Sequence, residues 1–153
     1  EVNCMIENTE ILIDSNILVY AIDTTEEEKH RIAKNILIGG FKRDQKLCFS
    51  TQNLSEFFVV STATIDKPIN KEIALNIIKR ISEFNYFKIL TIRSDNVISA
   101  IQTHMRHDSS YWDSLIAETM KDNKVFAILT ENEKDFKKIP WITVINPFSH
   151  FRQ

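Results

Sequence analysis

The stretch ILIDSNILVY, residues 11–20, carries a single charge. Asp14 closes one apolar run, Ile11-Leu12-Ile13, and stands before another, Ile17-Leu18-Val19-Tyr20. The first run is short and rich in β-branched residues, the pattern of a buried strand, and residues 15–22 follow at helical spacing. A lone carboxylate is costly to bury, so its place at the end of such a strand needs a reason. Asp14 either caps the helix that follows or is held there for chemistry.

Working outward, the same alternation recurs. A helix opens in the acidic stretch 24–29, buries Ile32, Ala33, Ile36 and Leu37, and is expected to stop at Gly39-Gly40. Residues 46–50 read as a second strand, and Asn53 to Ile65 as one apolar helix ended by Asp66-Lys67-Pro68. Asn70 caps a helix through Ile81, and residues 87–91 form a third strand. Helices over 94–105 and 111–121 are separated by Ser109-Ser110. Residues 125–130 make a fourth strand, 133–138 a helical turn and 142–145 a short fifth strand. Continuous apolar strands alternating with helices predict a parallel sheet covered on both faces.

The 153 residues suit one domain, with 43% hydrophobic and 26% charged residues. The expected division is an N-terminal extension (1–10), one α/β domain (11–147) and a C-terminal tail (148–153). A net charge of −2 gives no overall basic field, which leaves room only for a local basic groove. No apolar stretch reaches membrane-spanning length. Cys4 and Cys48 lack metal-like spacing and, with no secretory signal, read as reduced thiols of a cytoplasmic protein.

In doubly wound sheets, sites form beyond the carboxyl ends of the strands. The acids expected there are Asp14, Glu56, Asp113 and the segment Thr130-Glu131-Asn132-Glu133, with Asp135 beyond it. Each has an ordinary reading. Asp14 suits a helix cap, and Asn53-Leu54-Ser55-Glu56 and Ser110-Tyr111-Trp112-Asp113 both match capping boxes. Capping does not require several segments to aim acids at one place, whereas a divalent cation does.

These residues resemble the PIN-domain nucleases over nearly the whole chain, from Ile11 to about Ile145. ILIDSNILVYAID is similar to that family's opening strand, STQNLSEFFVV to its second block, SSYWDSLIAETM to its third and AILTENEKDF to its last. The resemblance implies a three-layer α/β/α sandwich around a parallel sheet of four to five strands. It also implies Mg²⁺- or Mn²⁺-dependent hydrolysis of RNA. Asp14, Glu56 and Asp113 would be the catalytic and metal-binding acids, joined by Asp135 or Asn132, with Asn16 and Thr130 steadying the carboxylates or a water. Many small members are toxins of toxin–antitoxin pairs, so an antitoxin and a homodimer are implied partners.

Arg43, Lys46 (with Lys42 beside them) and Arg93 are candidate phosphate contacts, and Trp112 (with Tyr111) a candidate base-stacking residue. The helix around Phe57 and Phe58 is either a dimer face or core. His104 and His107 have a zinc-compatible spacing without a third ligand, and Ser50, Ser55 and Ser109 lack a His–acid partner. Two other functions fit less of the sequence. One is an RNA-binding module without activity. The other is a haloacid-dehalogenase-like phosphatase, whose chemistry wants a second Asp where Asn16 stands.

Overall fold

The computed structural model describes residues 8–149. Cys4, most of the expected N-terminal extension and residues 150–153 lie outside the described residues.

Five strands form one parallel sheet: β1 (Ile11–Ile13), β2 (Leu47–Ser50), β3 (Lys88–Leu90), β4 (Ala127–Leu129) and β5 (Thr143–Ile145). Their order is β3-β2-β1-β4-β5. Ile11 is in register with Leu47 on one side and Ala127 on the other. The chain moves outward from β1 to β3, then returns to place β4 on the free side of β1. That reversal puts the carboxyl ends of β1 and β4 side by side.

The side-chain period of two sorts the core. Ile11, Ile13, Leu47, Phe49, Ala127 and Leu129 face one layer, and Leu12, Cys48, Leu90 and Ile128 the other. The first layer contains α1 (Ser15–Tyr20), α2 (Glu27–Phe41), α3 (Thr51–Val59) and α4 (Lys71–Glu83). The second is built on α6 (Tyr111–Asp122) and α7 (Glu133–Phe136), with α5 (Ser94–His107) packed along α6. The three-layer α/β/α sandwich is therefore as expected, with five strands. Helix Asn53–Ile65 is revised: α3 ends at Val59 and continues as a π-helix, Val60–Thr64. Phe148 is buried against Tyr20, so packed structure reaches past residue 147.

Gly39-Gly40 does not end α2, which runs on to Phe41. Gly40 serves close packing instead. A Cβ there would overlap the buried Leu47 side chain and press on Phe87, whereas one at Gly39 meets open space. The two glycines should respond oppositely to alanine in urea denaturation. Gly39→Ala gains about 0.5–1 kcal/mol from helix propensity, and Gly40→Ala loses about 1–3 kcal/mol through overpacking.

Candidate active site

Asp14 follows β1 directly and its N–H donates to Leu129 of β4 at 3.0 Å, which locks it into the crevice between the two strands. Only 5% of the residue is exposed. It caps α1, as one of the two readings held, accepting from Ser15 N at 2.8 Å. The cap uses only part of one oxygen. Oδ1 also accepts from Asn53 Nδ2 at 3.1 Å, and Oδ2 accepts from Thr130 Oγ1 at 2.6 Å and Asn16 Nδ2 at 3.0 Å. Asn16 and Thr130 thus both bond Asp14, and Asn16 also donates to Thr130 Oγ1 at 3.2 Å. Even with these donors, burial keeps the Asp14 carboxyl above the usual carboxylate range, with Glu56's charge adding to the shift.

Glu56 arrives by a different route from the one expected. Asn53 does not cap α3. Ser50 does, its hydroxyl oxygen accepting from Asn53 N at 3.0 Å. Helix α3 therefore starts two residues earlier, and Glu56 lies in its second turn. This frees the Asn53 side chain, fully buried, to bridge from Ser50 Oγ (2.5 Å) to Asp14. Glu56 Oε2 accepts from Ser15 Oγ at 2.8 Å and Oε1 from Gln52 Nε2 at 2.9 Å. Gln52 also donates to the Trp112 carbonyl at 3.2 Å, tying α3 to α6, while its own Oε1 is buried with no donor among the described residues.

Asp113 sits in the first turn of α6. The expected capping box with Ser110 is not formed, since the Ser110 side chain makes no cap bond. Instead Ser109 and Ser114 pair through their hydroxyls at 2.7 Å and Ser114 donates to the Ser110 carbonyl at 2.9 Å. Asp113 Oδ2 accepts from Asn132 Nδ2 at 3.0 Å, and Asn132 N donates to Thr130 Oγ1 at 2.9 Å. Burial pushes the Asp113 carboxyl up to about 7, and the charges of Asp14, Asp135 and Glu56 add to it.

One hydrogen-bonded chain therefore joins the three acids: Glu56 to Ser15, Asp14, Thr130, Asn132 and Asp113. None of the three is in an ion pair with any described basic residue. The donors are hard oxygens, the type a divalent cation prefers. Among the described residues, no three His, Cys, Asp or Glu side chains stand close enough to hold an ion as they are.

The last segment divides its acids. Glu131 is bound by Lys29 Nζ and Tyr20 OH, both at 2.6 Å, and its N–H donates to Asn16 Oδ1 at 3.3 Å. Asp135 pairs with Lys138 at 3.2 Å, yet its charge reaches Asp113. Asn132 touches Asp113 directly, so the segment supplies an amide to the cluster and a nearby carboxylate at its border.

Other expected residues are not gathered here. Arg43, Lys46 and Lys42 precede β2 in a parallel sheet, so they lie at the amino edge, opposite Asp14. Arg43 stacks over Phe84 and Tyr86. Arg93 lies beyond the carboxyl end of β3, exposed and 3.7 Å from Asp95. Trp112 is 61% exposed beside Asp113, with Tyr111 edge-on to it. Phe57 is fully buried, which removes it from any dimer face. His104 binds the Ser109 carbonyl at 2.6 Å and His107 lies edge-on to Trp141, so the pair forms no zinc site. Cys48 is buried, its thiol pushed up to about 12 by burial. The residues that sequence reasoning missed are Asn53, Gln52 and Ser15. The available signal was their position: polar residues beside the acids, in segments otherwise apolar.

No curated protein matches the sequence. Three solved structures illustrate the similarity in fold. Mycobacterium tuberculosis VapC20, described as a sarcin–ricin-loop-cleaving toxin, is 14% identical over 86% of this chain and 96% of its own, with a TM-score of 0.65. A toxin–antitoxin complex from Klebsiella pneumoniae is 23% identical over 90% and 97%, with a TM-score of 0.59. Rickettsia felis VapBC2, bound to a promoter DNA fragment, is 18% identical over 90% and 98%, with a TM-score of 0.63. At these identities the likeness concerns the fold. The PIN domain family matches residues 11–142, nearly the whole described chain from β1 to the threshold of β5, and the protein belongs to that family.

Proposed function

We propose that the protein is a divalent-metal-dependent endoribonuclease and the toxin half of a toxin–antitoxin pair. The observation that carries this reading is the hydrogen-bonded chain linking Glu56, Asp14 and Asp113 with no basic partner on any of them. Asp14, Asp113 and Glu56 would hold Mg²⁺ or Mn²⁺, with Asp135 or Asn132 at the border. Such an ion supplies an activated water and charge stabilisation on the leaving oxygen. The orphaned buried carbonyl of Gln52 supports the fit, because an unpaired buried acceptor wants a water or cation.

The protein's own groups do the rest. Asn53, Asn16 and Thr130 fix the Asp14 carboxylate, so a ligand there would meet a rigid oxygen pair. Glu56, held by Ser15 and Gln52, would take a proton from the attacking water. Trp112 offers an exposed ring on which an unpaired base can stack. Asn16 donates to Asp14 where the phosphatase reading needs an acid, which disfavours that chemistry.

Two partners belong to the proposal. A groove of about 380 Å³ beside Ser15 and Asn16, lined by Asp23, Glu26, Asp66, Val19 and Val60, suits a basic, partly apolar antitoxin segment. A homodimer is proposed through α5, where Val97, Ile98, Ile101 and Met105 are exposed along one helix. Antiparallel pairing about Ile101 would set Asp95 of each copy near Arg106 of the other.

Asp14→Asn and Asp113→Asn should each lower RNA cleavage by roughly 100-fold or more, and wild-type products should carry 5′-phosphate and 3′-hydroxyl ends. A 2′,3′-cyclic phosphate end would overturn the mechanism, and RNA binding without any cleavage in Mn²⁺ would favour the inactive module. The raised carboxyls of Asp14 and Asp113 set a pH trend. The folded state holds their protons more tightly than the unfolded one, so this stability is present at low pH and lost as pH rises through about 7 for Asp113. In EDTA the melting temperature should therefore fall between about pH 5 and about pH 8, and Mn²⁺ should restore it at the upper end. By sedimentation, Ile101→Glu should shift a dimer to monomer.

A further inference from the structure

An acidic cluster that cuts RNA needs a fixed cation to receive the phosphate backbone. Of the basic residues expected to supply it from sequence, Arg43 and Lys46 lie at the opposite edge, and Arg93, beyond the carboxyl end of β3, stands 3.7 Å from Asp95. Of the lysines near the site, Lys29 is committed to Glu131 and Tyr20 and lies over the rings of Tyr20 and Phe148. Lys137 holds Glu133 within its own helical turn. Lys138 differs. Its ammonium donates to the Asp108 carbonyl at 2.7 Å and to Asp135 Oδ1 at 3.2 Å.

These anchors come from two segments that both lead to the cluster. Asp108, in a left-handed conformation (φ 52°), ends α5 and opens the turn that runs into Asp113. Asp135 lies in α7, and its charge is felt at Asp113. An ammonium has three protons. Two are used here, and among the described residues the third has no protein partner. The side chain remains 34% exposed, so that proton is open to a ligand.

Resting on the ribonuclease reading, we propose that Lys138 holds a backbone phosphate of the RNA next to the cleaved bond. The carbonyl anchor keeps the ammonium in place without consuming its charge. The third proton is available to a non-bridging oxygen of a phosphate. A purely structural role would be a clip joining the α5–α6 turn to α7.

Anisotropy of a labelled single-stranded RNA, measured in EDTA over a range of salt, separates the two. Lys138→Met should weaken binding about three- to tenfold near 0.1 M salt and lower the slope of log affinity against log salt by about 0.7, one phosphate on a single strand. Lys138→Arg should keep both. In Mn²⁺, Lys138→Met should raise KM with kcat within about twofold of wild type, the pattern of lost uniform binding. RNA affinity and salt slope equal to wild type, with only the melting temperature lowered, would reduce Lys138 to a clip and overturn the proposal. Wild-type protein that neither binds RNA in EDTA nor cleaves it in Mn²⁺ would instead overturn the ribonuclease reading beneath it.

Discussion

The structure around this site depends on one buried carboxylate and the donors that surround it. Asp14 loses nearly all its water, a cost of several kcal/mol for an ion left alone. Hydrogen bonds to a charged group return about 1.5–3 kcal/mol each. The donors come from α1, α3 and the end of β4, so satisfying Asp14 requires those elements to meet at one point. Its carboxyl still lies above the ordinary range, so the protein donors do not fully offset its burial.

The sheet order explains why the meeting point lies where it does. β1 is central, with β2 and β4 as neighbours, and the chain reaches them in opposite directions along the sheet. The carboxyl ends of β1 and β4 are therefore not bridged by a local loop, and the crevice between them stays open. Thr130 enters from one wall and Asn16 from the other, and they bond each other as well as Asp14. Glu56, from the second turn of α3, and Asp113, from the first turn of α6, then join the network through Ser15 and Asn132.

Charge is managed by position. Among the described residues the three linked acids have no ion pairs, while Glu131, Glu133 and Asp135 are each matched to a lysine. The pairing at Glu131 also holds the loop that carries Asn132, since Lys29 and Tyr20 pull it against α1 and α2.

Much of this was legible in the residues. The apolar strand ending in Asp14, the alternation of strands and helices, and the four acid-bearing segments follow from local pattern, because burial on both faces of a parallel sheet leaves a continuous apolar run. Helix boundaries were less legible. Ser50 outcompeted Asn53 as a cap because Asn53 is needed by Asp14, a partner 39 positions away. Gly40 looked like a stop and is a packing contact with Leu47, which only the fold brings near. Arg43 and Lys46 looked like neighbours of the site because they are close to it along the chain, but a parallel strand carries its two ends to opposite edges. The sequence by itself determined which segments bring acids to the carboxyl ends of the strands and which strand ends in the first of them. Tertiary structure alone decided which of them share hydrogen bonds and which are silenced by lysines, because those contacts join residues up to 116 positions apart and depend on strand order and direction.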